Sequence, residues 1–148
     1  MKITDLLDRR HVIPGLAAGS KIQLLDELAQ RAGIALKIDE REIAAALHQR
    51  ERLGSTGVGH GIAVPHARIA GLKQPFGLLV RLEKAIGYDA IDGAPVDLVF
   101  LLLMPVDANA AHLSALATIS RRLRDAAVTK ALRNAVTAKE MYETLGDA

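Results

Sequence analysis

The sequence predicts an α/β fold in which helices cover both faces of a mixed central β-sheet, and three observations carry that prediction. Residues 98–104, LVFLLLM, form a near-continuous apolar run between Asp97 and Pro105, as expected of a central strand buried on both faces. Phe76, Leu78, Val80 and Leu82 alternate with Gly77, Leu79 and Arg81, the period of a second strand. Around these strands lie segments with apolar residues at helical spacing, opened by Ser20, Asp39 and Asn109, whose side chains accept from the free N–H groups of a helix start. Half of the 148 residues are hydrophobic and only 3% aromatic, so Leu, Ile, Val and Ala must build the core. The length suits a single domain over residues 1–148.

In chain order, Ile3, Leu6 and Leu7 suit a short first helix, and His11 to Gly19, with Pro14 and Gly15, reads as a connection with one extended piece. Ser20 caps a helix with Gln23 three residues on; Ile22, Leu25, Ala29 and Ala32 form its stripe and Gly33 its stop. Asp39, paired with Glu42, opens the next helix, which Gly54 ends. Ile62 to Val64 is a short strand delivering His66 at its end, and Ile86 to Val96, with Asp92-Gly93 at a turn, is a hairpin or tight connection. Asn109 caps the third long helix, followed by shorter ones over Val128 to Ala135 and from Thr137, where Glu140 completes a capping box.

The functional stretch is Leu53 to Arg68, LGSTGVGHGIAVPHAR. Gly54, Gly57, Gly59 and Gly61, interleaved with Ser55, Thr56 and His60, are suited to a concave run of backbone N–H groups that holds a phosphate. His66, its preceding backbone fixed by Pro65, is the candidate nucleophile at the end of that cradle. Two further polar residues fall on apolar helix faces. Arg50 continues the stripe of Ile43 and Leu47, and His112 heads the stripe of Leu116, Ile119 and Leu123. For Arg50, spacing admits a guanidinium capping its own helix end or one gripping the phosphate. For His112 it admits a buried histidine bonded to a carbonyl or a partner of His66. Spacing alone leans toward the structural role for both.

Several function classes are excluded. With 19 basic and 17 acidic residues, a net charge of +2 and few aromatics, the chain lacks the basic face of a nucleic-acid binder, and Arg121-Arg122-Leu123-Arg124 reads as the solvated side of a helix. Cysteine is absent, so disulfides and thiolate sites are out; the absence fits a reducing cytoplasm. The N-terminus carries no apolar signal core and no run is long enough to span a bilayer, so a cytoplasmic protein without membrane insertion is expected. The glycine stretch runs into Ile62-Ala63-Val64 rather than the lysine of a Walker loop, and is not GxGxxG before a helix. Without HExxH or close ligand spacing, His60, His66 and His112 make no metal site, and Ser55 has no GxSxG context. No cofactor is expected.

The run RERLGSTGVGHGIAVPHAR, Arg50 through Arg68, resembles the active-site segment of the fructose/mannitol-type IIA domains of the bacterial phosphotransferase system. DGAPVDLVFLLLMP (Asp92 to Pro105) and AHLSALATISRRL (Ala111 to Leu123) are similar to that family too, and ITDLLDRRHVIPGL most resembles its nitrogen-regulatory subgroup. The resemblance implies a phosphocarrier rather than a turnover enzyme, with His66 phosphorylated on Nε2 while a carbonyl holds Nδ1. It implies a site of His66, His112 and Arg50, so the two intruders on apolar faces acquire a function. Ser55, Thr56, Gly57 and Gly59 would bind the phosphoryl group, and His60 is assigned only contact with it. The implied partners are an HPr-like phosphohistidine donor and regulatory targets, kinases or transporters, whose binding depends on phosphorylation. The alternatives are a sugar-transport IIA domain serving a IIB partner, a module that phosphorylation merely switches, and, weakest, a hydrolase.

Overall fold

The computed structural model describes residues 2–146. Six strands form one mixed sheet: β1 (Val12–Leu16), β2 (Gly57–Gly59), β3 (Ile62–Ala63), β4 (His66–Ile69), β5 (Phe76–Ile86) and β6 (Val96–Pro105). Its order is β1-β5-β6-β3-β2, with β4 also against β6. β5 and β6 are antiparallel, while β1 runs parallel to β5 and both β3 and β4 run parallel to β6. The helices are α1 (Lys21–Leu36), α2 (Glu40–Arg52), α3 (Ala110–Leu123), α4 (Ala126–Asn134) and α5 (Ala138–Gly146).

The apolar run of β6 is explained by its two faces. Val99, Leu101 and Leu103 pack with Leu24, Leu28, Ile43 and Leu47 of α1 and α2. Leu98, Phe100, Leu102 and Met104 join Ile119, Leu132 and Met141 of α3, α4 and α5. Alternate side chains of a strand point to opposite faces, so a strand between two helical layers must be apolar at every position.

The predicted starts hold. Ser20 Oγ accepts from Gln23 N, Asn109 Oδ1 from His112 N, and Thr137 Oγ1 from Glu140 N. Asp39 caps α2 through Arg41 N, with the Arg41 guanidinium rather than Glu42 closing the contact. Other expectations are corrected. α1 runs past Gly33 to Leu36 and ends on Lys37 in the left-handed region (φ 57); a Cβ on Gly33 would sit 2.8 Å from Ile38 O, so this glycine admits a close crossing. Ile22 faces solvent, and the α1 stripe is Leu24, Leu25, Leu28, Ala29 and Ala32. The first helix is one 3-10 turn, Ile3–Asp5, and the extended piece after it is β1, where Pro14 is tolerated because the strand is at the edge. Within the basic cluster Arg122 is half-buried and caps α5 through Thr144 O and Leu145 O, while Arg121 and Arg124 are solvated.

Candidate functional site

His66 does not end the strand before it; it opens the next one. β3 stops at Ala63, Val64 and Pro65 interrupt the edge, and β4 resumes beside the same neighbour, with His66 opposite Leu102. Proline has no N–H for a ladder, and the break leaves the Val64 carbonyl 2.9 Å from His66 Nδ1. Nδ1 therefore carries the proton and donates, which leaves Nε2 unprotonated, its lone pair accepting from Arg50 Nε–H. Arg50 Nε lies 3.4 Å from that Nε2. Burial holds His66 below the usual imidazole range; the Arg50 charge adds to this, while the Val64 hydrogen bond and Glu51 oppose it. The ring is thus neutral and nucleophilic at neutral pH, with burial ahead of Arg50 as the cause.

Arg50 braces its own helix end, as the structural reading had it, and also reaches His66. Its Nη1 donates to Gly54 O at 2.8 Å, bracing the end of α2, and its Nε turns to His66. Above the pair opens a cavity of about 590 Å³ whose walls include Leu53, Arg68, Leu113 and Leu116. His112 stands one residue before Leu113 and one helical turn before Leu116, half-buried, with no bond to His66 or Arg50. Its Nδ1 is buried without a partner, so it is not the carbonyl-bonded core histidine that the structural reading required.

The glycine stretch is a hairpin rather than an open cradle. β2 and β3 pair around a two-residue turn, His60-Gly61, both with positive φ (57 and 79), the mirror-image turn that matches strand twist. The donors expected to hold phosphate are engaged elsewhere: Thr56 N by Glu51, Gly57 N by Ser55 Oγ, and His60 N by Asp92. Ser55 Oγ donates to Tyr88 O and Thr56 Oγ1 to Glu51. Gly59 and His60 line a different cavity, beside α4. The N–H groups of Thr56, Gly57 and His60 are therefore already taken by Glu51, Ser55 and Asp92.

What positions the site instead escaped the sequence reading. Glu51, next to Arg50, has a side chain only 6% exposed and pairs with Lys21 Nζ at 2.9 Å. It also accepts from Thr56 N and from Tyr88 OH at 3.0 Å, and Lys21 stands 4.6 Å over the Tyr88 ring. Burial pushes the Glu51 carboxyl up, but the Thr56 and Lys21 contacts outweigh it and hold the group below the ordinary carboxylate value. Burial likewise raises the Tyr88 phenol. The only signal available was the adjacency of Glu51 to Arg50 at a helix end.

The family model described as "Phosphoenolpyruvate-dependent sugar phosphotransferase system, EIIA 2" matches residues 5–148. The chain belongs to this EIIA family. Among the relatives of this EIIA chain, a nitrogen regulatory protein of Bradyrhizobium diazoefficiens is 46% identical over 145 residues, covering 98% of this chain and 95% of that protein. The crystal structure of nitrogen regulatory protein IIA-Ntr from Neisseria meningitidis superposes with a TM-score of 0.91 at 34% identity, covering 97% of this chain and 98% of that one. A fructose-specific EIIABC component of Bacillus subtilis is 34% identical over 136 residues, 91% of this chain and 21% of that longer protein. The mixed sheet between helical layers is thus the fold of the EIIA family, as expected. No helix among the described residues is long and apolar enough to cross a membrane, and no group of three or more His, Cys, Asp or Glu there could hold a metal.

Proposed function

We propose that this EIIA chain is a phosphocarrier of the nitrogen-regulatory branch, accepting a phosphoryl group on His66 Nε2 from an HPr-like phosphohistidine protein. One observation carries the reading: a neutral imidazole with Nδ1–H bound to Val64 O and Nε2 facing Arg50 at the floor of an open cavity. In the transfer the Nε2 lone pair forms the new N–P bond as the donor's N–P bond breaks, and the donor nitrogen leaves with that electron pair. Alignment and charge stabilisation supply most of the catalysis in such a step. Arg50 is the cation placed for it, and we assign His112 a supporting role from the start of α3, whose Leu113 and Leu116 line the cavity. The reading places the chain in the cytoplasm as one IIA domain over residues 1–148, with phosphorylation-dependent regulatory targets.

Incubation with phosphoenolpyruvate, the first phosphotransferase enzyme and the carrier is expected to add one acid-labile phosphoryl group. His66→Ala is expected to remove it entirely, and labelling of that variant would overturn the assignment. His112→Ala is expected to fold but transfer slowly. The 34% identity to a fructose-specific EIIABC component supports a second reading, delivery to a IIB partner. Transfer of label from the phosphorylated chain to a fructose IIB domain at a rate comparable to its loading would favour it.

A further inference from the structure

The second cavity lies beside the β2–β3 hairpin and takes no part in the arrangement around His66. It encloses about 510 Å³, within the range of small-molecule sites. Its apolar wall is Val58 and Ile62 from the hairpin and Leu123 from the end of α3, and its cations are Arg124, Lys130 and Arg133. No acidic side chain lines it.

The charge balance is lopsided. Arg133 is neutralised by Asp97, 2.9 Å away, and its Nη2 also donates to His60 O. Among the described residues Arg124 and Lys130 form no ion pair. Asp125, next to Arg124 in the chain, accepts from Ala127 N at the start of α4, Asp92 accepts from His60 N and Ala94 N, and neither lines the cavity. An apolar recess with two uncompensated cations at its rim is complementary to a molecule with an apolar body and an anionic head.

We propose that this cavity binds a small amphiphilic anion, its apolar body against Val58, Ile62 and Leu123 and its carboxylate or phosphate head between Arg124 and Lys130. The site is separate from the phosphocarrier reading and stands or falls without it. A ligand here need not compete with a phosphoryl donor, because the two cavities share no wall residue.

The test titrates hexyl phosphate, hexanoate and 1-hexanol into the ¹⁵N-labelled full chain and follows amide shifts. Saturable shifts confined to residues 58–62 and 123–134 are expected with at least one anion, with 1-hexanol weaker by about tenfold or more, the effect of losing a charged hydrogen bond. Whichever anion binds tighter identifies the head group. Combining Arg124→Gln with Lys130→Gln, both exposed, is expected to weaken binding by a similar factor while circular dichroism and His66 loading stay unchanged. The proposal is overturned if neither anion saturates, if 1-hexanol binds equally well, if the shifts centre on His66, or if the double variant binds as tightly. Binding of an acidic peptide but of neither small anion would also overturn it.

Discussion

Two histidines of the glycine-rich segment, His60 and His66, flank the short strand β3, and the structure holds them by opposite means. His66 is held by its ring: Nδ1 on Val64 O, Nε2 toward Arg50, the whole half-buried. His60 is held by its backbone: N–H to Asp92, carbonyl to Arg133, φ at 57 in the turn, and no ring hydrogen bond among the described residues. A fixed ring with an unprotonated Nε2 is prepared for chemistry at that atom. A fixed backbone with a free ring needs only a residue that tolerates the turn. Proximity in sequence to a glycine motif therefore says little about role; which atoms are pinned says more.

The comparison breaks first at Arg50. If the His66 ring is prepared for an incoming phosphoryl group, Arg50→Ala is expected to slow phosphorylation by about 10²-fold, the scale for losing one preorganised charge or donor at developing negative charge. Quench-flow labelling with a phosphorylated donor measures it. Arg50→Lys is expected to recover part of the rate, because a point charge replaces a planar fork. A variant that unfolds yet transfers normally when refolded would reduce Arg50 to a helix cap.

The next largest effect belongs to Glu51, which holds the loop but touches no reacting atom. Glu51→Gln removes the charge that compensates Lys21, itself only 18% exposed at the side chain, and is expected to lower unfolding free energy by about 1–3 kcal/mol. Urea denaturation measures it. Lys21→Met in the Glu51→Gln background is expected to recover part of the loss, since it removes the unpaired cation.

The pinned ring of His66 also carries a pH signature. His66 titrates below its unfolded value, chiefly through burial, so the unfolded chain binds more protons than the folded one as pH falls below about 6.5. The stability this group contributes is complete above the unfolded value and disappears as pH falls through the folded one. Nuclear magnetic resonance titration is expected to give the His66 ring a midpoint below the ordinary imidazole value. An unshifted His66 would mean that its burial does not act on the charge of the ring.

The fold was legible wherever burial imposes a period. The run at β6 and the capped starts of α1, α2 and α3 follow from residue order because each satisfies a local rule that the packing then reinforces. β4 was not legible: it is a strand only because Pro65 interrupts one edge of β6 and the chain re-engages the same partner, which no local pattern encodes. In the site, Arg50 and His112 stood out as polar residues on apolar stripes, a conflict visible in one dimension. Glu51, Lys21 and Tyr88 did not, since their meeting joins α1, the end of α2 and the segment after β5. The glycines were legible but the backbone form they take was not, because glycine permits an open anion nest and a tight hairpin alike, and the hairpin is braced by Asp92 and Arg133 from across the fold.

The smallest expected effect bears most directly on whether the hairpin contacts the phosphoryl group. His60→Asn keeps a residue that tolerates the left-handed region and leaves both backbone hydrogen bonds in place, so stability is expected to change by only a few tenths of a kcal/mol. Phosphoryl loading of His66 is expected to stay at the wild-type rate, measured in the same quench-flow assay as Arg50→Ala. His60→Val puts a β-branched side chain at φ 57 and is expected to cost about 1 kcal/mol or more through the turn alone, again without changing the rate once the protein is folded. A tenfold slower transfer in His60→Asn would mean that the ring reaches the phosphoryl group after all. The hairpin would then close over His66 during transfer, and the phosphate-contact role expected for His60 from the sequence would be restored.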